Sequence, residues 1–169
     1  MGLLSWLFGQ PTPPPLPKVN TILPDVAEQE IKNGRLPRLN TDTIFTQKGE
    51  YIHYIDKAIL LKDKTKKHYR TKNMGFSAPG LFKGDRVHFG EAKAEPVEEI
   101  ITEQFKGILY VTNKRVIFVN KDNGFDKAYR YLSAVTPYSN GIELQYGSTT
   151  YSLLVPDGAL LNQVFKILN

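Results

Sequence analysis

The residues best suited to chemistry form a cationic run between residues 57 and 72. Seven of these side chains are positive and only Asp63 opposes them, so the segment has a net charge of +6 against +5 for the whole chain. The cations are Lys57, Lys62, Lys64, Lys66, Lys67, Arg70 and Lys72. Near an anionic leaflet each such charge contributes about 1 kcal/mol, and nucleic-acid phosphates attract them similarly. The alternative is a solvated hairpin tip, because KDKTKK (residues 62–67) is also typical of a turn.

A second group of candidate residues is apolar and lies in MGLLSWLFG, residues 1–9. Its large side chains are Leu3, Leu4, Trp6, Leu7 and Phe8. Burying each one against a membrane or a partner contributes at most about 1.5–3 kcal/mol. An anchor of this size gives reversible attachment unless a second signal helps, and the cationic run is a candidate for that signal. The alternative is that the segment docks on the protein's own surface or on another subunit.

Nothing in the sequence is typical of a catalytic or metal site. The chain has no cysteine and its three histidines are far apart. Nucleophile-elbow, phosphate-loop, dinucleotide and zinc-protease motifs are absent. An acidic cluster comprises Glu91, Glu95, Glu98, Glu99 and Glu103. Paired carboxylates can serve acid–base chemistry, but this cluster is more typical of the solvent face of a strand or loop. We therefore predict a protein that is not an enzyme and that has no metal or small-molecule cofactor.

The elements that position these groups follow a proline-rich spacer. Six of the eleven prolines stand within residues 1–24, which favours an extended polyproline II segment. A short helix is predicted from Asp25 to a glycine stop at Asn33-Gly34. Residues 43–61 contain β-rich stretches. The four glycines and one proline of residues 73–90 predict a loop or a set of bends.

The second half of the chain has the pattern of successive antiparallel strands. The predicted strands cover residues 108–111, 116–119, 125–135, 142–146 and 149–155. Asn113-Lys114 is the predicted turn between the first two, and Gly147-Ser148 is a two-residue hairpin turn between the last two. Asp157 is the predicted cap of a final helix with one broad apolar stripe. A helix this short is marginal alone, so it must pack on the sheet.

The stretch GILYVTNKRVIFV (residues 107–119) carries a resemblance to a known family. It resembles the strand–turn–strand pattern of GRAM and bacterial pleckstrin-homology (PH)-like domains. The matching residues are Gly107, Leu109, Thr112, Arg115 and Phe118. PYSNGIELQYG further along resembles the following strands, and the segments IKNGRLPRL and KGEYIHYIDKAILL resemble a region that precedes this domain in poorly characterised bacterial and phage proteins. The resemblance covers residues 25–169.

This resemblance implies a mainly β (α+β) fold, namely a PH-like antiparallel β-barrel or sandwich with a capping C-terminal helix. It also implies a role in binding lipid headgroups or peptides and supplies no catalytic residues. For the matching residues we favour structural roles. Gly107 would permit a bend or bulge where a long strand enters the sheet. Arg115, beside a turn, would order nearby carbonyl groups or a carboxylate.

These observations predict three regions and one general function. The regions are an apolar and proline-rich segment (1–24), a short helix with a β-rich segment (25–90), and the PH/GRAM-like β-domain with its helix (91–169). The predicted function is non-enzymatic binding to an anionic membrane surface or to a partner protein, in the cytoplasm and peripheral to a membrane. The identity of the partner and the oligomeric state stay open.

Two other functions compete with that prediction. The chain would alternatively be a phage or mobile-element encoded interaction or inhibitor protein acting through its β-sheet surface or edge. Nucleic-acid binding through residues 57–72 is less favoured, because no aromatic side chains alternate with the lysines as stacking platforms. The acidic cluster would also repel a phosphate backbone if it lies nearby.

Overall fold

The computed structural model describes residues 15–73, 76–79, 86–89 and 92–169, and it describes side chains for residues 15–67 and 96–169. In that part of the chain the main elements are two α-helices and nine β-strands. The elements are α1 (Asp25–Lys32), β1 (Ile52–Asn73), β2 (Phe76–Pro79), β3 (Arg86–Phe89), β4 (Ala92–Thr112), β5 (Arg115–Val119), β6 (Phe125–Ala128), a 3-10 turn (Tyr129–Tyr131), β7 (Ala134–Tyr138), β8 (Gly141–Tyr146), β9 (Thr149–Leu154) and α2 (Gly158–Leu168).

Seven strands form one sheet in the order β6-β5-β4-β1-β9-β8-β7, and β2 pairs with β3 in a second sheet. The β4–β5, β5–β6, β7–β8 and β8–β9 pairs are antiparallel. The edge strands of the larger sheet are therefore β6, with four residues, and β7, which contains Pro137. A mainly β fold made of an antiparallel sheet and a C-terminal helix is confirmed.

The chain divides into two compact units. One consists of the described part of residues 1–60 together with residues 105–169, and the other consists of residues 61–104. Residues 25–60, which include α1 and the first part of β1, thus belong to the same unit as β5–β9 and α2. The predicted domain boundary between residues 90 and 91 lies outside the described residues and stays a prediction.

The core of the first unit lies between one face of the sheet and the two helices. β4 and β5 contribute Leu109 and Phe118, which are cross-strand partners. α2 contributes Leu161 and Val164, both fully buried, and it packs against α1, β7 and β8. The Asp157 side chain accepts a hydrogen bond from the Leu160 amide at 2.9 Å. This confirms the predicted cap, which satisfies one of the free amides at the helix start.

A smaller apolar cluster lies apart from this core. It consists of Ile52, Tyr110 and Ile117. Leu39 and Ile44, which precede β1, pack against it. The Leu39 amide also donates to the Ile52 carbonyl at 2.9 Å. The chain before β1 is thereby held against the sheet, although it forms no strand of its own beyond an isolated bridge.

Three local predictions are confirmed. Helix α1 begins at Asp25 and is followed by Asn33 and by Gly34 with a φ of 75°. Asn113 and Lys114 connect β4 to β5. Gly147, with a φ of 61°, lies in the β8–β9 hairpin, where Tyr146 pairs with Thr149. Each signal was a local one, set by turn residues with a known backbone preference.

Four local predictions were wrong. Residues 43–45 form no strand, and the Thr41 hydroxyl accepts the Thr43 amide in a local turn there. KDKTKK (62–67) is not a turn but part of β1, because partners on β4 hold it extended. Residues 76–79 and 86–89, which fall within the loop or set of bends predicted for residues 73–90, form strands β2 and β3. The predicted strand 125–135 is interrupted where the Tyr129 amide donates to the Lys114 carbonyl at 2.7 Å.

Candidate anion-binding groove

The strand–turn–strand motif at residues 107–119 lies in the core and at one end of β4 and β5. Leu109 and Phe118 are buried. The Thr112 hydroxyl donates to Glu50 at 2.9 Å and accepts the Lys114 and Arg115 amides at 3.0 and 2.9 Å. Thr112 therefore closes the β4–β5 turn and fixes it to the chain before β1. These contacts support structural roles for the motif residues.

Arg115 joins three segments through its guanidinium group. Its Nε donates to Glu50 at 2.8 Å, one Nη donates to Asp126 at 2.5 Å, and the other donates to the Phe45 carbonyl at 2.6 Å. This arrangement supports the expectation that Arg115 orders a carboxylate and a carbonyl group. Arginine suits such a site because its planar group presents several donors in fixed directions.

The electrostatics of this cluster stabilise its charged form. Burial by itself raises the pKa of the Glu50 carboxyl, but hydrogen bonds from Arg115, from the Gln47 amide and from Thr112 outweigh burial, so the pKa lies below its ordinary value. The hydrogen bond to Glu50 raises the pKa of Arg115. Glu50 is 6% exposed, so the ion pair is largely shielded from water.

Gly107 is required by close packing in the structure. A Cβ atom at this position would lie 2.3 Å from the Val119 carbonyl oxygen and 2.7 Å from the ring of Phe118. Atoms this close overlap severely. The glycine therefore allows β5 to approach β4.

Acidic partners neutralise part of the cationic run among its described side chains. In the second unit, Lys64 pairs with Glu103 at 3.2 Å and Lys67 pairs with Glu98 at 3.3 Å. Lys66 is exposed, and Lys62 also has an interaction partner. The side chains of Arg70 and Lys72 lie outside the described residues. The acidic cluster thus partly neutralises the run, which weakens the case for phosphate binding there.

Lys57, by contrast, lies in a groove in the first unit. Its lining residues are Lys18, Val19, Asn20, Lys57, Ala58, Ile59, Lys106 and Gly107, around a volume of about 220 Å³. Three segments each contribute one lysine, namely the chain before α1, β1 and β4. No carboxylate lines the groove, and no carboxylate among the described side chains pairs with any of the three ammonium groups. We call this site the three-lysine groove.

The sequence pointed to only one of these lysines. Lys18 follows the proline-rich spacer and Lys106 precedes Gly107, so neither stands in a dense run of charge. Strand pairing brings Lys106 to Lys57, and other tertiary contacts bring Lys18 there. The nearest signal in the sequence was Gly107, a position without a side chain in an otherwise bulky strand.

A buried carboxylate holds the chain that carries Lys18. Asp56, 2% exposed, accepts hydrogen bonds at 2.7 Å from both the Thr21 hydroxyl and the Ile22 amide. It also accepts the Lys57 amide at 2.9 Å and the Tyr54 hydroxyl at 3.3 Å. Burial, followed by the nearby Asp56 charge, raises the pKa of Tyr54 well above its usual value. Tyr54 thus stays protonated, and Asp56 fixes residues 21–22 beside Lys57.

Leu3, Leu4, Trp6, Leu7 and Phe8 lie outside the described residues. Among the side chains that are described, no cluster of histidine and carboxylate groups has the arrangement of a metal site. No helix within the described ranges is both long enough and apolar enough to traverse a bilayer.

Comparisons with known proteins yield one structural likeness. No family model matches the sequence, and no curated protein matches it. Among solved structures the chain is similar to the "Vps36 N-terminal PH domain", with 13% sequence identity and a TM-score of 0.43. That likeness covers 79% of this chain and 89% of the other.

Proposed function

We propose that this protein is a non-enzymatic PH-like binding module that binds an anionic group in the three-lysine groove, at the surface of an anionic membrane. The observation that carries the proposal is that Lys18, Lys57 and Lys106 line one groove whose lining contains no carboxylate. The three ammonium groups repel one another, and an anion bound between them is attracted to all three.

The chemistry of the groove suits a phosphate or a phosphate-bearing headgroup. Ammonium groups bind phosphate as point charges from several directions. Lys18, Lys57 and Lys106 are all exposed, so an anion can reach them from solvent. A volume of about 220 Å³ suits one headgroup better than an extended polymer. The second unit offers no comparable site among its described side chains, because Lys64 and Lys67 already have carboxylate partners.

The N-terminal apolar segment would act together with the groove. Only nine residues separate Phe8 from Lys18, and the fully extended chain between them spans at most about 36 Å. Both features can therefore reach the same membrane. Since one small apolar anchor gives only reversible attachment, the lysines would supply the second interaction and its preference for anionic lipid.

Co-sedimentation with vesicles tests this function. The vesicles contain phosphatidylcholine alone or phosphatidylcholine with phosphatidylserine, at low and high salt. We expect the full chain to pellet better with the anionic vesicles and better at low salt. A variant with Lys18→Gln, Lys57→Gln and Lys106→Gln should lose that preference. A control with Lys121→Gln, Lys127→Gln and Lys166→Gln has the same net charge and should keep it.

A second measurement separates a lipid headgroup from a soluble phosphate. Titration calorimetry with inositol hexakisphosphate shows whether the groove binds a phosphate ligand without a bilayer. The groove would be assigned to a soluble ligand if two results are found together. The unmodified chain gives a binding heat that the groove variant does not give, and the unmodified chain does not bind vesicles. If the two triple variants bind vesicles and inositol hexakisphosphate equally well, the groove is not the site and the proposal fails.

The alternative of a partner strand added at either end of the seven-stranded sheet receives less support. β6 has only four residues, and β7 contains Pro137, which has no amide hydrogen. Strand addition depends on a continuous row of free backbone donors and acceptors. A protein partner is better sought at a side-chain surface.

A further inference from the structure

A second surface, outside the three-lysine groove, surrounds the exposed ring of Phe45. This side chain is 92% exposed. Next to it is a cleft of about 510 Å³, and the charged residues that line this cleft are Lys114, Arg115, Asp126 and Arg130. Arg115 links the two features, because it lines the cleft and donates to the Phe45 carbonyl. Tyr131, the residue after Arg130, is 62% exposed.

The loop that presents Phe45 is fixed at several points. Glu50 accepts the Gln47 amide at 2.6 Å, and its ion pair with Arg115 holds the loop to β5. The Asn113 side chain donates to the Gly49 carbonyl at 3.0 Å and accepts the Tyr51 amide at 2.8 Å. The loop is thus held to Asn113 in the β4–β5 turn and to Arg115 at the start of β5. A loop whose backbone is already held in place loses little backbone entropy when a partner covers it.

The positive side chains that line the cleft differ in whether a carboxylate already neutralises them. Arg115 is shared between two carboxylates, Glu50 and Asp126. Lys114 and Arg130 have no carboxylate partner among the described side chains. Lys114 donates to the Lys48 carbonyl, and the Arg130 guanidinium lies 4.8 Å from the centre of the Tyr131 ring. The charges of Lys114 and Arg130 are therefore not neutralised by a described carboxylate and can attract an anionic ligand.

We propose that this surface, formed by Phe45, Lys114, Arg130 and Tyr131, binds an acidic segment of a partner protein. Spaced carboxylates of the segment pair with Lys114 and Arg130, and its apolar side chains cover Phe45 and Tyr131. Aromatic residues and arginine are enriched where protein interfaces are strongest. Asp126, half-exposed in the cleft, disfavours a compact phosphate and a negatively charged leaflet. It tolerates carboxylates that are spread along a chain.

Fluorescence anisotropy with a labelled peptide tests this surface. The probe is a short peptide in which glutamate alternates with leucine, and its counterpart replaces each glutamate with lysine. We expect the full chain to bind the acidic peptide and not the basic one. Phe45→Ala should weaken binding about tenfold or more, as removal of a central aromatic contact does. Val26→Ala, at another exposed apolar position, should leave binding unchanged.

A charge-reversed variant keeps the test independent of small changes in stability. Lys114→Glu with Arg130→Glu should reverse the preference, so that the basic peptide binds and the acidic one does not. Circular dichroism would establish that each variant is folded. Absence of binding to the acidic peptide, or equal binding by all variants, overturns the proposal. If the unmodified chain does not bind the peptide, and Phe45→Ala no longer binds anionic vesicles, the surface would be assigned to a membrane instead.

Discussion

At the scale of single residues, the ion pair between Arg115 and Glu50 connects several segments of the fold. Their pair is shielded from water, and each also bonds to a second segment, Arg115 to Asp126 and Glu50 to Thr112. The Phe45 loop, the β4–β5 turn and β6 thereby depend on one ionic cluster. A buried pair of this kind destabilises the fold strongly when one partner is removed, because the other is left uncompensated.

The pH dependence of stability should report on Glu50. Its pKa in the folded protein lies below the ordinary value of 4.5. The stabilisation is therefore present above the unfolded pKa and is lost as pH falls through the folded one. In urea unfolding between about pH 7 and pH 3, Glu50→Gln should be less stable at neutral pH and lose less stability on acidification. Asp122→Asn, an exposed carboxylate change, should follow the unmodified chain. Parallel curves for Glu50→Gln and the unmodified chain would contradict this.

Gly107 provides a second prediction for a single residue. Gly107→Ala places a methyl group against the Val119 carbonyl and the Phe118 ring, so the free energy of unfolding should fall by about 1–3 kcal/mol. Lys106→Ala, one position earlier and exposed, should change it by no more than about 0.5 kcal/mol. Chemical denaturation of both variants makes the comparison. An unchanged Gly107→Ala variant would mean that β5 can shift away from β4 at no cost.

At the scale of elements, the contacts of Asp56 fix the segment that carries Lys18. Asp56→Ala removes the acceptor for the Thr21 hydroxyl and the Ile22 amide and should cost about 1–3 kcal/mol. Hydrogen exchange at the Ile22 amide should accelerate more than at amides in β8. Affinity for anionic vesicles should also fall, because Lys18 is no longer held beside Lys57. Unchanged exchange at Ile22 would show that other contacts position this segment.

How far the sequence predicted these elements depends on how local the signal was. The cap at Asp157, the turn at Asn113-Lys114 and the hairpin at Gly147 were predicted because neighbouring residues determine them. KDKTKK was wrongly predicted as a turn, because its extended form depends on partners about forty residues away, such as Thr102 bonded to Asp63. The three-lysine groove could not be predicted for the same reason. Lys18, Lys57 and Lys106 meet only through the fold.

At the scale of the whole molecule, folding and membrane attachment should be separable. The buried core begins at Leu23, after the apolar N-terminal segment and most of the spacer. A chain shortened to residues 18–169 should therefore unfold cooperatively, with a midpoint close to that of the full chain. It should pellet much less with anionic vesicles, since it keeps the lysines and loses the apolar anchor. Equal pelleting of the two chains would remove residues 1–17 from the mechanism.

The two ends of the seven-stranded sheet have a further consequence for how the protein behaves in concentrated solution. An open sheet normally offers its outer strands as templates for another copy, which is a common route to aggregation. Here one outer strand is four residues long and carries Asp126 and Lys127, and the other is interrupted by Pro137. Neither can continue a hydrogen-bonded ladder into a neighbour for long. We expect these two ends to resist strand addition between copies when the protein is crowded, although the sheet is not closed by pairing of β6 with β7.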